Sequence, residues 1–320
     1  MSNHDPRSNR GQALLPALAG GVRDGFRHWR LLLLAWLAGL LPAAFLGMPV
    51  SALFDRLFGH HPDAARIVSG EDLAPLTDAV SGLGDGGFAA ASASIGQGLG
   101  VAMLLAGLLA PWLSGMLIAS LRERRVLGFG ELWSGGWREY GRQFRLLLVA
   151  LIQAALFAGV AAAAFGWARY GSETRILESV AAQRMNIAMI VVAITGLIGW
   201  MGVECARAAF AADASLRSAF RAWLRGLRLM VRRPFAVLLA VILTLLLGMG
   251  LSMLLQAGAL SNTTGSGLVL LLAQIAVWIV WWSRVVRLST LAAISPAPAT
   301  AIVPQPHDAD TPMPVGERVT

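Results

Sequence analysis

The chain has 320 residues, of which 56% are hydrophobic and only 14% are charged, whereas about a quarter of the residues in an ordinary soluble domain are charged. Its mean hydropathy of +0.64 argues against a soluble globular protein. The net charge of +8 would favour nucleic-acid binding in a soluble chain, but here the basic residues are unevenly distributed, and we expect no nucleic-acid partner. All of them are Arg, and the single Cys205 excludes an intramolecular disulfide.

Six hydrophobic stretches follow one another along the chain, and each is near the roughly 20 residues that a helix needs to cross a bilayer. None of them contains a charged residue, and they cover residues 31–48, 99–119, 146–167, 187–203, 235–255 and 268–283. Lipid offers the backbone no hydrogen-bond partners, so each stretch must be helical. The pattern predicts an all-α polytopic membrane protein in which residues 13–294 form one six-helix domain.

The first stretch has a secretory signal peptide as its alternative interpretation, because basic residues precede an apolar run that begins at Leu31. The 30 residues before this run are long for the basic region of a signal peptide, and Pro42-Ala43-Ala44 is a weak cleavage site. We therefore expect a membrane span at residues 31–48.

The orientation follows from the arginines, because positively charged loops stay in the cytoplasm. Residues 1–30, 121–145, 204–233 and 284–320 hold five, six, seven and three Arg, a total of 21. The alternate connections, residues 51–93, 168–186 and 257–266, hold two, three and none, a total of 5. The alternation predicts an even number of spans with both termini in the cytoplasm.

A fourteen-residue segment occurs twice without gaps. Residues 20–33 (GGVRDGFRHWRLLL) align with residues 135–148 (GGWREYGRQFRLLL), and eight of the positions are identical. A weaker third copy at residues 220–228 keeps the spacing of the three arginines. The chain is therefore predicted to be three repeated hairpins, each formed by an outward and a returning span and each preceded by a basic amphipathic helix.

These basic segments are predicted to lie in the headgroup plane, with an apolar face in the acyl boundary and arginines on the phosphates of anionic lipids. In the third segment an arginine stripe alternates with an apolar stripe that includes Phe220, Trp223 and Leu224, and Asp213 is the expected N-cap. A partner or regulatory surface is the alternative. The expected headgroup-binding residues are Arg23, Arg27, Arg30, Arg138, Arg142, Arg145, Arg217, Arg221, Arg225, Arg228 and Arg232.

Three short motifs lie at the junction of the second and third spans: Pro111-Trp112-Leu113-Ser114-Gly115-Met116, Gly128-Phe129-Gly130-Glu131-Leu132-Trp133 and Gly136-Trp137-Arg138. They resemble the pattern of an uncharacterised family of proteobacterial inner-membrane proteins. More distantly, they resemble the membrane-spanning region of some glycerophosphodiester phosphodiesterases. The resemblance covers residues 100–160 best. It implies a six-helix inner-membrane fold and brings no established activity and no catalytic residues.

The external connection at residues 51–93 is the longest and contains six acidic residues. Its candidate metal ligands are His60, His61, Asp63, Glu71 and Asp72. Adjacent histidines point in different directions on most backbones, and the spacing matches no established ligand pattern, so we expect no metal. Ser69 followed by Asp72 instead favours the start of a short surface helix at residues 70–80.

Two further patterns consist of closely spaced glycines, and neither predicts a catalytic or binding site. Gly96, Gly98 and Gly100 lack the Gly-Lys-Ser/Thr that completes a phosphate-binding loop, so we expect no cofactor and attribute Gly96 and Gly100 to close helix packing. On the fourth span, Gly196, Gly199 and Gly202 are interpreted in the same way.

The predicted spans hold few polar residues, and the notable ones are Gln153, Thr195, Thr244, Ser252, Gln256 and Gln274. Glu204 and Arg207 are predicted to form an ion pair on the helix surface. Arg284 and Arg287, which follow Trp278, Trp281 and Trp282, are predicted to anchor the sixth span at the interface. A mid-membrane charge relay is therefore excluded.

The two ends of the chain, residues 1–12 and the Pro-rich residues 295–320, are predicted to be disordered. The external connection and the Pro-rich tail are the candidate contact regions for a protein partner. The function expected from all these features is that of a non-enzymatic inner-membrane protein, in envelope maintenance or as the membrane subunit of a complex. The alternative is a transporter, flippase or lipid-handling protein, for which breaks at Pro42, Pro111 and Gly248-Met249-Gly250 are the only sequence signature.

Reporter fusions test the predicted orientation. A reporter that is active only outside the cytoplasm should be active when fused after Gly70, Leu177 or Asn262, because these positions lie in the Arg-poor connections. It should be inactive after Gly130 or Ser215, whereas a cytoplasmic reporter should show the opposite pattern. An external signal at Gly130 or Ser215 would overturn the orientation.

Overall fold

The computed structural model describes residues 13–59, 78, 81–123, 125–170, 178–261 and 266–296. All regular elements in this part of the chain are helices: α1 (Leu14–Arg27), α2 (Trp29–Phe58), α3 (Gly84–Arg122), α4 (Phe129–Arg169), α5 (Glu178–Ala212), α6 (Ala219–Arg232), α7 (Pro234–Leu245), a π-helical segment (Leu246–Gly250), α8 (Leu251–Ser261) and α9 (Ser266–Ile294). The all-α prediction is confirmed.

Six helices are long and apolar enough to cross a membrane among the described residues. They are Trp29–Phe58, Gly86–Arg122, Phe129–Arg169, Ser179–Ala212, Pro234–Ala259 and Gly267–Ile294. Each one contains a predicted span, and each extends beyond it. The predicted number of apolar helices and their approximate positions are therefore confirmed.

The external connection predicted at residues 51–93 is partly helical. Residues 51–58 belong to α2 and residues 84–93 belong to α3. The candidate metal ligands His60, His61, Asp63, Glu71 and Asp72 lie outside the described residues. The two predicted disordered ends, the short helix at residues 70–80 and the tail as a partner-binding segment lie outside them almost entirely.

The second basic segment is not a separate helix. The structure continues it into the third span as one helix of 41 residues, α4. By contrast, the chain breaks between α1 and α2 at His28, whose φ is −93° and ψ is 36°. It breaks again at Arg233, immediately before Pro234, because proline is favoured in the first turn of a helix and disfavours the helical conformation of the residue before it.

The packed core lies at one end of the bundle. Its most deeply buried members include Met116 and Ile118 of α3, Phe210 of α5, and Leu288 and Leu291 of α9. We call this region, where α1 and α6 meet the first turns of α2 and α4 and the last turns of α3, α5 and α9, the arginine-rich end. The middle of the bundle is more open, and only 6% of the most apolar 18-residue stretch of α4 is buried inside the protein.

The three basic segments pack against the last turns of α3, α5 and α9, which we call the returning helices. The segment in α4 contacts α3, α6 contacts α5, and α1 contacts α9. A Cβ atom at Gly136 would lie 2.6 Å from Trp112 Nε1, and one at Gly21 would lie 2.8 Å from the Val286 carbonyl oxygen. At Gly226 it would lie 2.6 Å from the backbone nitrogen of Ala206. The contacts therefore need glycine at these positions.

Gly226→Ala is expected to destabilise the protein, because its Cβ would be pressed against the backbone of α5, which cannot rotate away. We expect a loss of about 1–3 kcal/mol in the free energy of unfolding, measured by denaturant titration in detergent micelles. The matched control is Gly141→Ala, on the exposed face of α4 with nothing within 4 Å. Helix propensity should make this control neutral or stabilising by up to about 1 kcal/mol. Equal effects at both positions would contradict the close-packing argument.

Candidate functional site at the arginine-rich end

Most of the predicted headgroup-binding arginines are exposed side chains around the arginine-rich end. The exposed ones are Arg23, Arg27, Arg138, Arg145, Arg217, Arg221, Arg225, Arg228 and Arg232. Two others are half-buried and have protein partners. Arg30 donates to the Leu127 carbonyl oxygen at 3.4 Å and lies over the rings of Trp29 and Phe129, and Arg142 donates to Glu139 at 3.1 Å. Arg30 thus connects α2 to the start of α4, whereas the Arg142 pair lies within α4.

Helix α6 has three distinct faces. Its buried face consists of small residues and one leucine: Ala219, Ala222, Gly226 and Leu229. A second face holds the exposed arginines. The third holds Phe220, which is 58% exposed, Leu224, and Val231, which is 72% exposed. The protein therefore binds this helix through its smallest side chains and leaves its large apolar and charged side chains outside.

The N-cap of α6 is Ser218, whose side chain accepts a hydrogen bond from the backbone N–H of Arg221 at 3.4 Å. The prediction of Asp213 as the cap was wrong, because α6 begins six residues later. Asp213 instead accepts hydrogen bonds from the backbone N–H and hydroxyl of Ser215 and from Arg225. Burial opposes ionisation, but these bonds outweigh it and hold the pKa of Asp213 below its ordinary value.

In the last turn of each returning helix, where carbonyl groups lack partners within the helix, one carbonyl oxygen lies near a side-chain nitrogen from another part of the chain. The Ser120 oxygen of α3 lies 3.3 Å from His28 Nε2. The Phe210 oxygen of α5 accepts from Arg122 Nε at 3.1 Å and Nη2 at 2.6 Å, while Arg122 Nη1 donates to Glu139 Oε1 at 2.7 Å. The Ile294 oxygen of α9 accepts from Arg233 at 3.4 Å. These bonds connect elements that are distant in sequence.

A buried ionic cluster lies where the three returning helices meet. The Glu204 side chain of α5 is almost fully enclosed, with the residue 1% exposed. It accepts hydrogen bonds from Arg207 on the same helix and from Arg287 Nε of α9 at 3.3 Å. Arg287 also stacks over the ring of Trp200 at 4.5 Å. The buried carboxylate thus holds α5 against α9.

Arg284 completes this ionic cluster on the third returning helix. One turn before Arg287, it donates from Nη2 to Ser114 Oγ of α3 at 3.0 Å. Its guanidinium group also lies 5.1 Å from the ring centroid of Trp281. The cluster therefore places three guanidinium groups beside one carboxylate and connects α3, α5 and α9.

The predicted surface positions of Glu204, Arg207 and Arg287 were wrong. The Glu204–Arg207 pair was expected on the surface, but both side chains lie in the interior, 2% and 17% exposed. Arg287 was expected to anchor the sixth span at the lipid interface, yet it is buried. Helix α9 continues to Ile294, so these arginines lie inside the helix end. The available signal was that apolar residues continue after Arg284 and Arg287, at Val285, Val286, Leu288 and Leu291 to Ile294.

The polar residues of the spans also connect helices. Gln153 of α4 donates to the Gly199 carbonyl oxygen of α5 at 2.7 Å and accepts from Trp223 Nε1 of α6 at 2.8 Å. Trp36 of α2 donates to Gln274 of α9 at 2.7 Å. These side chains have partners within the bundle, which is the arrangement that lipid favours.

The glycine predictions for the spans were correct in part. Gly199 packs against the side chains of Phe157 and Gln153. On α3 the close contact is at Gly98, where a Cβ atom would lie 2.7 Å from the Phe45 carbonyl oxygen. Gly96, Gly100 and Gly196 have open space instead.

The fold and the buried ionic cluster define a multi-pass helical protein with a polar, closely packed end. Comparison of the chain with protein-family models, curated proteins and solved structures finds no match. The arginine-rich end is therefore the feature of this protein from which a function can be proposed.

Removing the buried carboxylate should be strongly destabilising. Glu204→Gln leaves Arg207 and Arg287 without their shared counter-charge, and we expect a loss of about 3–5 kcal/mol in the free energy of unfolding. The matched control is Glu131→Gln. Glu131 pairs with Arg125 at a surface site where the side chains are 45% and 64% exposed, and glutamine preserves its capping of the Gly128 N–H. If titrations in detergent showed equal effects, the ionic cluster would have no structural role.

Proposed function

We propose that this chain is a non-enzymatic integral protein of the bacterial inner membrane, which acts in envelope maintenance or as the membrane subunit of a complex. In this proposal its arginine-rich end lies on the cytoplasmic side and binds anionic lipid headgroups through the basic segments. Both termini are then cytoplasmic, as the alternation of arginine-rich and arginine-poor connections favours.

The three-faced arrangement of α6 is the observation that carries this proposal. Phe220, Leu224 and Val231 are exposed beside an arginine stripe, and water is an unfavourable surrounding for such a face. At a bilayer surface the apolar side chains enter the acyl boundary and the guanidinium groups reach the phosphates. Because the small-residue face is packed against α5, the orientation of the other two faces is fixed by the protein.

A threefold internal repeat is part of the proposal. Its support is that aligned positions have the same burial. Leu31, Leu146 and Leu229 are each at most 5% exposed. The aligned Arg23, Arg138 and Arg221 are all exposed. Each basic segment packs on a returning helix, and since the first packs on the last, three hairpins would close into a ring.

A transporter or flippase is the alternative function, and the geometry supports it less. Helices α2 and α3 continue through Pro42 and Pro111 without a break. The π-helical segment Leu246–Gly250 is a local irregularity, at which Gly248 packs against Ser283. Discontinuous spans at matching places, as found in many transporters, are not present among the described residues.

Hydrogen exchange of the full-length protein in lipid nanodiscs tests the proposed lipid contact. Backbone amides of α6 should exchange more slowly in discs that contain phosphatidylglycerol than in discs of phosphatidylcholine alone. The variant R221Q/R228Q/R232Q should lose this difference. Each arginine near an anionic surface contributes about 1 kcal/mol, so the lost protection should approach about 100-fold.

The control for this experiment is R125Q, which removes an exposed arginine in the loop that precedes α4 and should leave exchange in α6 unchanged. Equal exchange of wild-type α6 in the two kinds of disc would refute the lipid contact. So would a lipid effect that the triple variant retains.

A further inference from the structure

The buried ionic cluster has more positive charge than the protein neutralises. Arg207 and Arg287 pair with a single carboxylate, Glu204, and Arg284 lies close enough to interact with it electrostatically while donating to Ser114. Arginine keeps its proton in proteins, so the excess is a permanent feature of the site. Unpaired charge away from water is unfavourable, and a counter-charge is therefore needed.

The other carboxylates at this end are engaged elsewhere. Glu139 pairs with Arg122 and Arg142, Asp213 with Arg225, and Glu131 with Arg125. Asp24 accepts a hydrogen bond from the Ser289 hydroxyl. The ionic cluster thus obtains its carboxylate from Glu204 alone among these residues.

Hydrogen-bond donors without acceptors also indicate that the cluster can bind an anion. Within the described part of the chain, Arg207 Nε is buried and has no acceptor. The only hydrogen bond described for Arg284 is the one to Ser114 Oγ, which leaves four of its five donors without an acceptor in this part of the protein. Planar guanidinium groups with free donors match the oxygen atoms of a phosphate group, often through two parallel bonds.

A phosphate group can reach the cluster from outside, and the cluster has the residues expected at the headgroup level of a bilayer. Arg284 is half-buried and the side chain of Arg207 is 17% exposed. Trp281 lies beside Arg284, and Trp200 lies beside Arg287. Tryptophan and arginine together are typical of the level of the headgroups in a bilayer. A phosphate can therefore reach this site from a lipid or from the aqueous side.

We propose that Arg207 and Arg284, with the charge of Arg287 behind them, form a binding site for one phosphate group between the returning helices. The group is either the phosphate of an anionic lipid or a free phosphate anion. This site is separate from the exposed stripe of α6 and does not rest on the function proposed above. A bound phosphate would connect α5 to α9 and α3 and so stabilise the closed end of the bundle.

Thermal unfolding of the purified full-length chain tests this site in two arms. In the first arm, inorganic phosphate is added to the protein in an uncharged detergent and compared with sodium chloride at equal ionic strength. In the second arm, the protein is reconstituted in phosphatidylcholine vesicles that contain or lack phosphatidylglycerol. We expect the midpoint to rise by about 3 °C or more at saturation. A rise in the first arm identifies the free anion, and a rise only in the second identifies the lipid phosphate.

Variants distinguish phosphate binding at this site from a general effect of salt on the charges of the protein. R207Q and R284Q should lose the rise in the arm where the wild type shows it, whereas R125Q, which removes an exposed arginine outside the basic segments, should retain it. Glu204→Gln keeps the proposal testable if those variants do not fold. Its carboxylate competes with phosphate for Arg207 and Arg287, so E204Q should start from a lower midpoint and show a larger rise than the wild type.

Three results would overturn the phosphate site. The first is no rise in either arm for both the wild type and E204Q. The second is an equal rise in the wild type, R207Q and R284Q. The third is a rise that R221Q abolishes and R284Q retains, which would instead assign the effect to the surface of α6.

Discussion

The close approach of helix backbones at the arginine-rich end is the constraint on which the rest of the structure depends. Gly136 and Gly226 lie where any side chain would collide with the returning helix beside them. In lipid, apolar helices gain little by hiding apolar surface from one another, so close packing and hydrogen bonds decide which helices associate. Small residues permit this approach, and the large residues of the same segments are then forced outward. The exposed stripes of α6 follow directly from this geometry.

The hydrogen bonds of this end depend on the same approach. Once the basic segments lie against the returning helices, Arg122 reaches the Phe210 carbonyl oxygen and Arg287 reaches Glu204. Each of these bonds involves a charged group in a partly or fully enclosed place, where an unpaired partner is unfavourable. They therefore select one arrangement of the helices, whereas the exposed apolar side chains of the spans tolerate many. The polar end gives the bundle its specificity.

Some features of the structure could be predicted from the sequence, and others could not. The helical state and number of the apolar helices followed from hydropathy alone, since lipid permits no other hydrogen-bonded state for such stretches. The N-cap of α6 did not, because Asp213 and Ser218 are both good capping residues and the tertiary position of Arg225 engages the first of them. The helix ends beside residues 51–93 also did not follow, since a fall in hydropathy does not mark where a helix ends and α2 continues through Asp55 and Arg56.

The sequence by itself determined that this protein is all-helical and that six of its helices are apolar enough to cross a membrane, because both properties arise from residues close together in the chain. Only the tertiary structure decided which arginines face outward and which are interior. Glu204 and Arg287 are 83 residues apart and have no local signal for pairing. Charged residues at the end of an apolar helix have the same composition whether they face headgroups or a neighbouring helix, and the difference lies in what the fold packs against them.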